Sequence, residues 1–366
     1  MAQLLIDIQK GTLSPMVWLK SCLSAIDLKD RQGDKLRALL ELHPTPHQLV
    51  RALPDGALHG APILIKDNIE TADGMLTTAG SLALLDAPLP QKDAFIVQQL
   101  RAAGALIFGK TNLSEWANIR SPDATSGWSA RGGLTRNPHN PKHTASGSSS
   151  GSAVAVAAGF CAAAIGTETN GSIVSPASAC GIVGLKPTLG SVSRSGIIPI
   201  SRWQDTAGPM TRTVRDAALI MDVIAAHDPS DFMSVTAGQR PIRSYLQDFA
   251  TDALRGRRLG IVRELCGTHP EVLKIFDQKV QLLKTAGAVI IDDIELPYAE
   301  EASSWAWRAM ITEFREDLNL YLQQRGGSIH SLASLISFNE ARRDEEMLHF
   351  GQEFFAMAER RNSHGD

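Results

Sequence analysis

The residues from His143 to Ser178 decide how this chain is read: His143-Thr-Ala-Ser-Gly-Ser-Ser-Ser-Gly-Ser152, Ala153-Val-Ala-Val-Ala-Ala-Gly159, Phe160 to Thr167, then Glu168-Thr-Asn-Gly-Ser-Ile-Val-Ser-Pro-Ala-Ser178. A Gly/Ser cluster feeds a run of small residues suited to a helix packed closely on a sheet. An apolar strand follows, and a second Gly-Ser turn opens the next helix. Two hydroxyl-bearing turns are thus held by rigid elements, which is how a reactive site is positioned. Read alone, Ser146 to Ser152 would be a flexible linker, but linkers are not followed directly by Ala153 to Ala158.

Working outward, the chain alternates helix and strand. The pattern predicts helices at 2–10, 14–27 and 93–103, with strands near 36–42, 61–66 and 105–109. A helix at 151–159, a strand at 161–166, a helix from 173 and a strand at 182–186 surround the Gly/Ser turns. After a break near Asp228-Pro229-Ser230-Asp231 come a strand at 258–263, helices at 270–286 and 300–325, and two more helices. Such alternation predicts an α/β layered fold with a largely buried mixed sheet. No internal repeat is visible.

Composition narrows the function classes. At 366 residues with 43% apolar residues, the chain can bury an extensive core as an ordinary soluble protein. A formal charge of −3 supplies no basic surplus for a polyanion, which argues against a nucleic-acid binder. The start, Met1 to Asp7, lacks a basic residue followed by a long apolar segment, and Gly159, Gly166 and Glu168 interrupt the Ala-rich stretch, so neither export nor a membrane span is expected. Cys22, Cys161, Cys180 and Cys266 are scattered without a CxxC pair, as reduced thiols of a cytoplasmic protein are. His43 and His47 flank prolines that spoil a helical metal-binding face, and no metal or cofactor is expected.

Gly104-Ala-Leu-Ile-Phe-Gly-Lys-Thr111 satisfies the literal phosphate-loop pattern. In a true phosphate loop the strand precedes the first glycine. Here Ala105 to Phe108 themselves read as the strand, so ATP binding is not expected.

Pro62-Ile-Leu-Ile-Lys66-Asp67, Gly147-Ser-Ser-Ser-Gly-Ser152 and Gly166-Thr-Glu-Thr-Asn-Gly-Ser-Ile173 occur in order. Together they resemble the three signature elements of the amidase signature family of serine hydrolases. That resemblance implies a Ser–Ser–Lys triad: Ser172 as nucleophile, Ser148 as relay after a cis Gly147–Ser148 peptide, and Lys66 as base. It implies a backbone oxyanion hole along Thr169, Asn170, Gly171 and Ser172, with Ser149 and Thr167 in support. Independently of the name, a serine needs a base, and lysine is one only when neutral. Burial behind Ile63, Leu64 and Ile65 would lower its pKa, although a strand-end lysine reaching water is the commoner case.

Further segments resemble the peptide-amidase-like branch: Lys110 to Asn118, Ser126 to Gly133, Gly184 to Thr188, Ser193 to Pro199, Gln204 to Met210, Phe338-Asn339-Glu340, Glu345-Glu346-Met347 and Phe350 to Glu353. The likeness runs from about residue 3 to about residue 359. Two departures stand out. Asn170-Gly171 replaces a frequent Gly-Gly, and Val174-Ser175 stands where many relatives carry Arg, which disfavours small dicarboxylic monoamides.

The resemblance implies one amidase-signature domain over 1–366, its central mixed sheet covered by helices on both faces. The catalytic core is expected at about 55–225, with a helix-rich part at about 255–360. Relatives continue past the polar Arg360 to Asp366 stretch, so a missing C-terminal segment, and with it weak activity or self-association, is expected. Three functions compete: hydrolysis of a carboxylic amide, including a peptide C-terminal amide, through an acyl-enzyme on Ser172; the A-subunit type of glutaminase in a tRNA-dependent amidotransferase; and a truncated inactive scaffold. Trp116, Trp128 and Trp203 are candidates for the pocket wall, though aromatics in such a domain are more often core.

Overall fold

The computed structural model describes residues 1–234, 244–250, 252–292 and 294–361. The expected polar tail, from residue 362 onward, lies outside them. The chain divides into two compact units, Met1–Ile242 with Ala309–Asp366, and Arg243–Arg308.

Up to Ser234 the larger unit has, besides a single turn at Pro46–Leu49, the helices α1 (Ala2–Gln9), α2 (Pro15–Ile26), α3 (Phe95–Ala102), α4 (Ser150–Ala157), α5 (Val174–Ala179) and α6 (Val214–Ile224). Apart from a two-stranded antiparallel ribbon at Trp128–Ser129 and Gly133–Leu134, the strands are β1 (Leu39–Leu42), β2 (Pro62–Lys66), β3 (Leu106–Thr111), β4 (Ala163–Glu168), β5 (Val183–Gly184) and β6 (Thr206–Thr211). They form one six-stranded sheet in the order β1-β3-β2-β4-β6-β5. The pairs β3–β2 and β2–β4 are parallel and the other three antiparallel, so the sheet is mixed.

Every residue of β2, β3, β4 and β6 is buried. Alternating side chains leave opposite faces of a strand, so complete burial means that both faces are covered. α2 and α4 pack on β2, and α6 packs on β6. The helix α4, Ser-Gly-Ser-Ala-Val-Ala-Val-Ala, has only small and β-branched side chains and is buried over its first seven residues. That composition lets its axis lie close to the sheet and brings its N-terminal serines to the strand ends.

The smaller unit pairs two strands in parallel, β7 (Arg258–Gly260) and β8 (Val289–Ile291), joined by α7 (Pro270–Thr285). After the long helix α8 (Ala299–Arg325), the larger unit also holds α9 (Leu332–Ala341), a single turn at Arg343–Glu346 and α10 (Glu353–Arg360). Two helices were expected after α8. The extra turn carries Glu346, whose carboxylate is fully buried.

Arg120 ties this last segment to the loop after β3. Its guanidinium pairs with Glu115, lies 3.7 Å from Glu346 Oε2, and donates to the carbonyls of Glu346, Phe350 and Gly351. Trp116 and Trp128, candidates for the pocket wall, are both buried in this region, against Phe355 and Phe350 respectively. The phosphate-loop lookalike is strand β3, and Lys110 is fully buried with its amine on Ile69 O and Thr77 Oγ1, both at 2.7 Å.

Candidate active site

Two neighbouring parallel strands end side by side, β2 at Lys66 and β4 at Glu168. Lys66 therefore emerges beside Thr167, and its Nζ is 2.8 Å from Thr167 Oγ1 and 3.2 Å from Thr167 O. The third partner of the amine is Ser148 Oγ at 2.8 Å. Lys66 and Ser148 are both fully buried. Burial drives the Lys66 pKa down to about 7, against the opposing pull of Asp205 and Glu168.

The Gly147–Ser148 peptide is cis. The following carbonyl, Ser148 O, is held by the loop after β3, where Ser114 N–H donates to it at 3.0 Å. A side chain at Gly147 has no room, since its Cβ would lie 2.1 Å from Ser114 Oγ. Next in the chain, Ser149 is bound on three sides: its Oγ donates to Thr167 O, accepts Thr167 N–H, and its own N–H donates to Ser172 O at 3.1 Å. Ser149 thus joins the end of β4 to the second serine turn.

That turn is organised by Glu168. Its carboxylate accepts the N–H groups of Gly171 at 2.9 Å, Ile173 at 2.7 Å and Val174 at 3.0 Å. Of the four expected oxyanion residues, Gly171 therefore has its N–H turned to Glu168, while no group among the described residues takes the N–H of Thr169, Asn170 or Ser172. The left-handed residue of the turn is Gly171, with φ +86°, so Asn170 is not required to adopt that conformation. Ser172 is half-buried, and its hydroxyl makes no hydrogen bond to another described residue.

Sequence reasoning missed three members of this neighbourhood. Asp205 accepts Thr169 Oγ1–H at 2.5 Å and the N–H groups of Ile200 and Ser201 at 2.7 and 2.9 Å, and burial raises its pKa to about 6. Asn68 donates from Nδ2 to Thr167 Oγ1 at 2.9 Å. Lys186 donates to Thr169 O at 2.7 Å. Asp205 and Lys186 sit inside motifs that the sequence displays, but nothing local says what they touch.

A cavity of about 510 Å³ opens beside these groups, lined by Asn68, the Thr167–Thr169 strand end, Ile197 to Ser201, Phe232 and Tyr321 among others. Val174 and Ser175, standing where a guanidinium was absent by sequence, are exposed. Among the described residues no group of three or more His, Cys, Asp or Glu side chains is placed to hold a metal ion. No described helix is long and apolar enough to cross a membrane.

Comparison with known proteins agrees with this architecture. The family model described as Amidase matches residues 37–366. A probable amidase of Arabidopsis thaliana is 40% identical over 358 residues, covering 90% of this chain and 68% of its own length. The peptide amidase PAM, solved with the competitive inhibitor chymostatin, superimposes with a TM-score of 0.95 at 43% identity, over 99% of this chain and 75% of that one. The A subunit of a glutamyl-tRNA(Gln) amidotransferase from Lawsonia intracellularis is 46% identical over 250 residues, 68% of this chain and 49% of that protein. The chain belongs to the amidase family. It is accordingly a hydrolase-family chain of the kind that acts on carbon–nitrogen bonds in linear amides.

Proposed function

We propose that this chain hydrolyses a small-molecule or peptide carboxylic amide, peptide C-terminal amides included, to the acid and ammonia through an ester on Ser172. The observation that carries this reading is Lys66: a fully buried amine at 2.8 Å from Ser148 Oγ, with its pKa brought down to about 7. A neutral amine has two N–H donors and one lone pair. Thr167 O can only accept, so it takes one N–H, and Thr167 Oγ1 takes the other. The lone pair then faces Ser148, and the amine can act as its base.

In the reaction Ser148 gives its proton to Lys66 and receives that of Ser172, whose Oγ forms the bond to the substrate carbonyl carbon. The oxyanion is met by N–H groups along Thr169, Asn170 and Ser172, the ones that Glu168 does not occupy. As the C–N bond breaks, the proton on Lys66 returns through Ser148 to the leaving nitrogen. Water then attacks the ester by the same relay and the acid is released.

Ser172→Ala tests this directly. Activity on amidated peptides should fall by on the order of 10⁶-fold with an unchanged circular-dichroism spectrum. Full turnover by that variant would remove the assignment.

A second reading, glutaminase within an amidotransferase, is supported by the 46% identity to the Lawsonia subunit. Ammonia release from glutamine, together with copurification of a partner subunit, would favour it. The cytoplasm is the proposed compartment, supported by four free cysteines, three of them buried. Self-association would be read from sedimentation at several concentrations.

A further inference from the structure

Trp203 and Phe232 are 55% and 52% exposed, yet their rings meet edge to face at 5.1 Å. Such a pair is not core. Phe232 lines the 510 Å³ cavity, together with Arg202, the residue before Trp203, and the Thr167–Thr169 strand end that leads into the serine turn. The pair is held in place from below. Arg194 lies 5.1 Å from the Phe232 ring centroid, is clamped to Asp231 through its guanidinium and backbone N–H, and donates to Arg202 O. One guanidinium therefore fastens the residue before Phe232 to the residue before Trp203, and the two rings are preorganised rather than brought together by a ligand.

The cavity's charges are already answered within the chain. Arg194 pairs with Asp231, Arg202 with Asp317 at 2.5 Å, and the Asp205 carboxylate faces a hydroxyl and two N–H donors. No unmatched charge remains among these groups to receive a carboxylate or an ammonium. The volume falls within the range of about 300–1,000 Å³ that takes a ligand well beyond a bare carboxamide.

We infer that Trp203 and Phe232 form a subsite for an uncharged aromatic side chain of the substrate, flanking the amide that reaches Ser172. The ring edge and face offered by the pair suit a third aromatic ring, which stacks or meets them edge-on. This deepens the amide-hydrolase reading and rests on it.

The test compares N-acetyl-phenylalanine amide with N-acetyl-alanine amide on the full chain. The ratio of their kcat/KM values should fall about tenfold in Trp203→Ala and in Phe232→Ala, and be largely retained in Trp203→Phe. The same ratio in both alanine variants as in the wild type would overturn the inference while leaving the hydrolase reading intact. Calorimetry on Ser172→Ala gives a readout without turnover. Tighter binding of the phenylalanine amide, lost on adding Trp203→Ala, supports the subsite even if the wild type hydrolyses neither compound. Equal binding of the two amides, or binding of neither, overturns it. So does burial of Trp203 by a second copy of the chain, seen as protection from acrylamide quenching that grows with protein concentration and ignores the amide.

Discussion

Lys66 Nζ lies 2.8 Å from Ser148 Oγ, and neither side chain reaches solvent. The proton state of this one amine therefore governs the proposed relay, and its pKa near 7 makes that state pH-dependent in an ordinary assay range. Free-enzyme kcat/KM should rise with first-order slope as pH increases and level off above about 7. A profile flat from pH 5.5 to 8.5 would exclude Lys66 as the base. Stability carries the same signature. An unfolded lysine titrates near 10.5 and the folded one near 7, so the unfolded chain binds more protons between those values. The contribution of Lys66 to unfolding free energy should thus increase from pH 7 towards 10.5.

Removal of the two relay groups should not be equal. Lys66→Ala deletes the proton acceptor, whereas a water can partly replace the Ser148 hydroxyl. We expect kcat to fall by about 10²–10⁴-fold for Lys66→Ala, and by no more for Ser148→Ala. Single-turnover measurement of acyl-enzyme formation checks the order, and a Ser148→Ala variant clearly worse than Lys66→Ala would reverse the assigned roles.

The loop around Ser114 should be intolerant of bulk at Gly147. Its Cβ would stand 2.1 Å from Ser114 Oγ and 3.1 Å from Ser150 Oγ, so Gly147→Ala overpacks a buried site. A loss of about 1–3 kcal/mol in urea unfolding is expected. Because the closest atom is the Ser114 hydroxyl, adding Ser114→Gly should recover part of the loss; no recovery would place the conflict elsewhere.

Arg120 should matter for stability more than any surface cation. Glu115 and Glu346 approach it in a fully buried cluster. Arg120→Met leaves two carboxyl groups without their counter-charge, which costs about 3–5 kcal/mol. A midpoint shift in denaturant corresponding to less than 1 kcal/mol would show that the cluster contributes little.

Much of this layout was legible in the residues themselves. The apolar run Ile63 to Ile65 marks a buried strand, and buried strands deliver buried lysines; the small-residue helix after Gly147 marks close packing on a sheet. Strand β6 was not legible as a strand. Its sequence, Thr206-Ala-Gly-Pro-Met-Thr211, contains Gly208 and Pro209, which read as a turn. The sheet nevertheless accepts it between β4 and β5, and Pro209 O still receives Leu185 N–H. Glu168 and Asp205 were hidden for another reason. Glu168 acts on the backbone of residues that follow it, and Asp205 meets Thr169 across thirty-six positions of chain, so neither contact has a local pattern.

Those two carboxylates give the sharpest prediction, because they act on the amine from a distance and on the turn by contact. Asp205 first, and Glu168 after it, raise the Lys66 pKa against the larger effect of burial. Neutralising either removes a negative charge that favours the ammonium form, so the acid limb of the kcat/KM profile must move below about 7. The movement should be greater for Asp205→Asn than for Glu168→Gln. Glu168→Gln has a second effect. Its carboxylate receives three N–H groups of the Ser172 turn, and a neutral amide oxygen binds them less strongly. Charge-assisted hydrogen bonds contribute about 1.5–3 kcal/mol each, so kcat should fall roughly tenfold or more as Ser172 loses its fixed position. KM should change little, since Glu168 faces the turn's own backbone. A limb that moves to higher pH in either variant would reverse the sign of the electrostatic argument, and a Glu168→Gln effect confined to KM would show that the carboxylate serves substrate binding rather than the placement of Ser172.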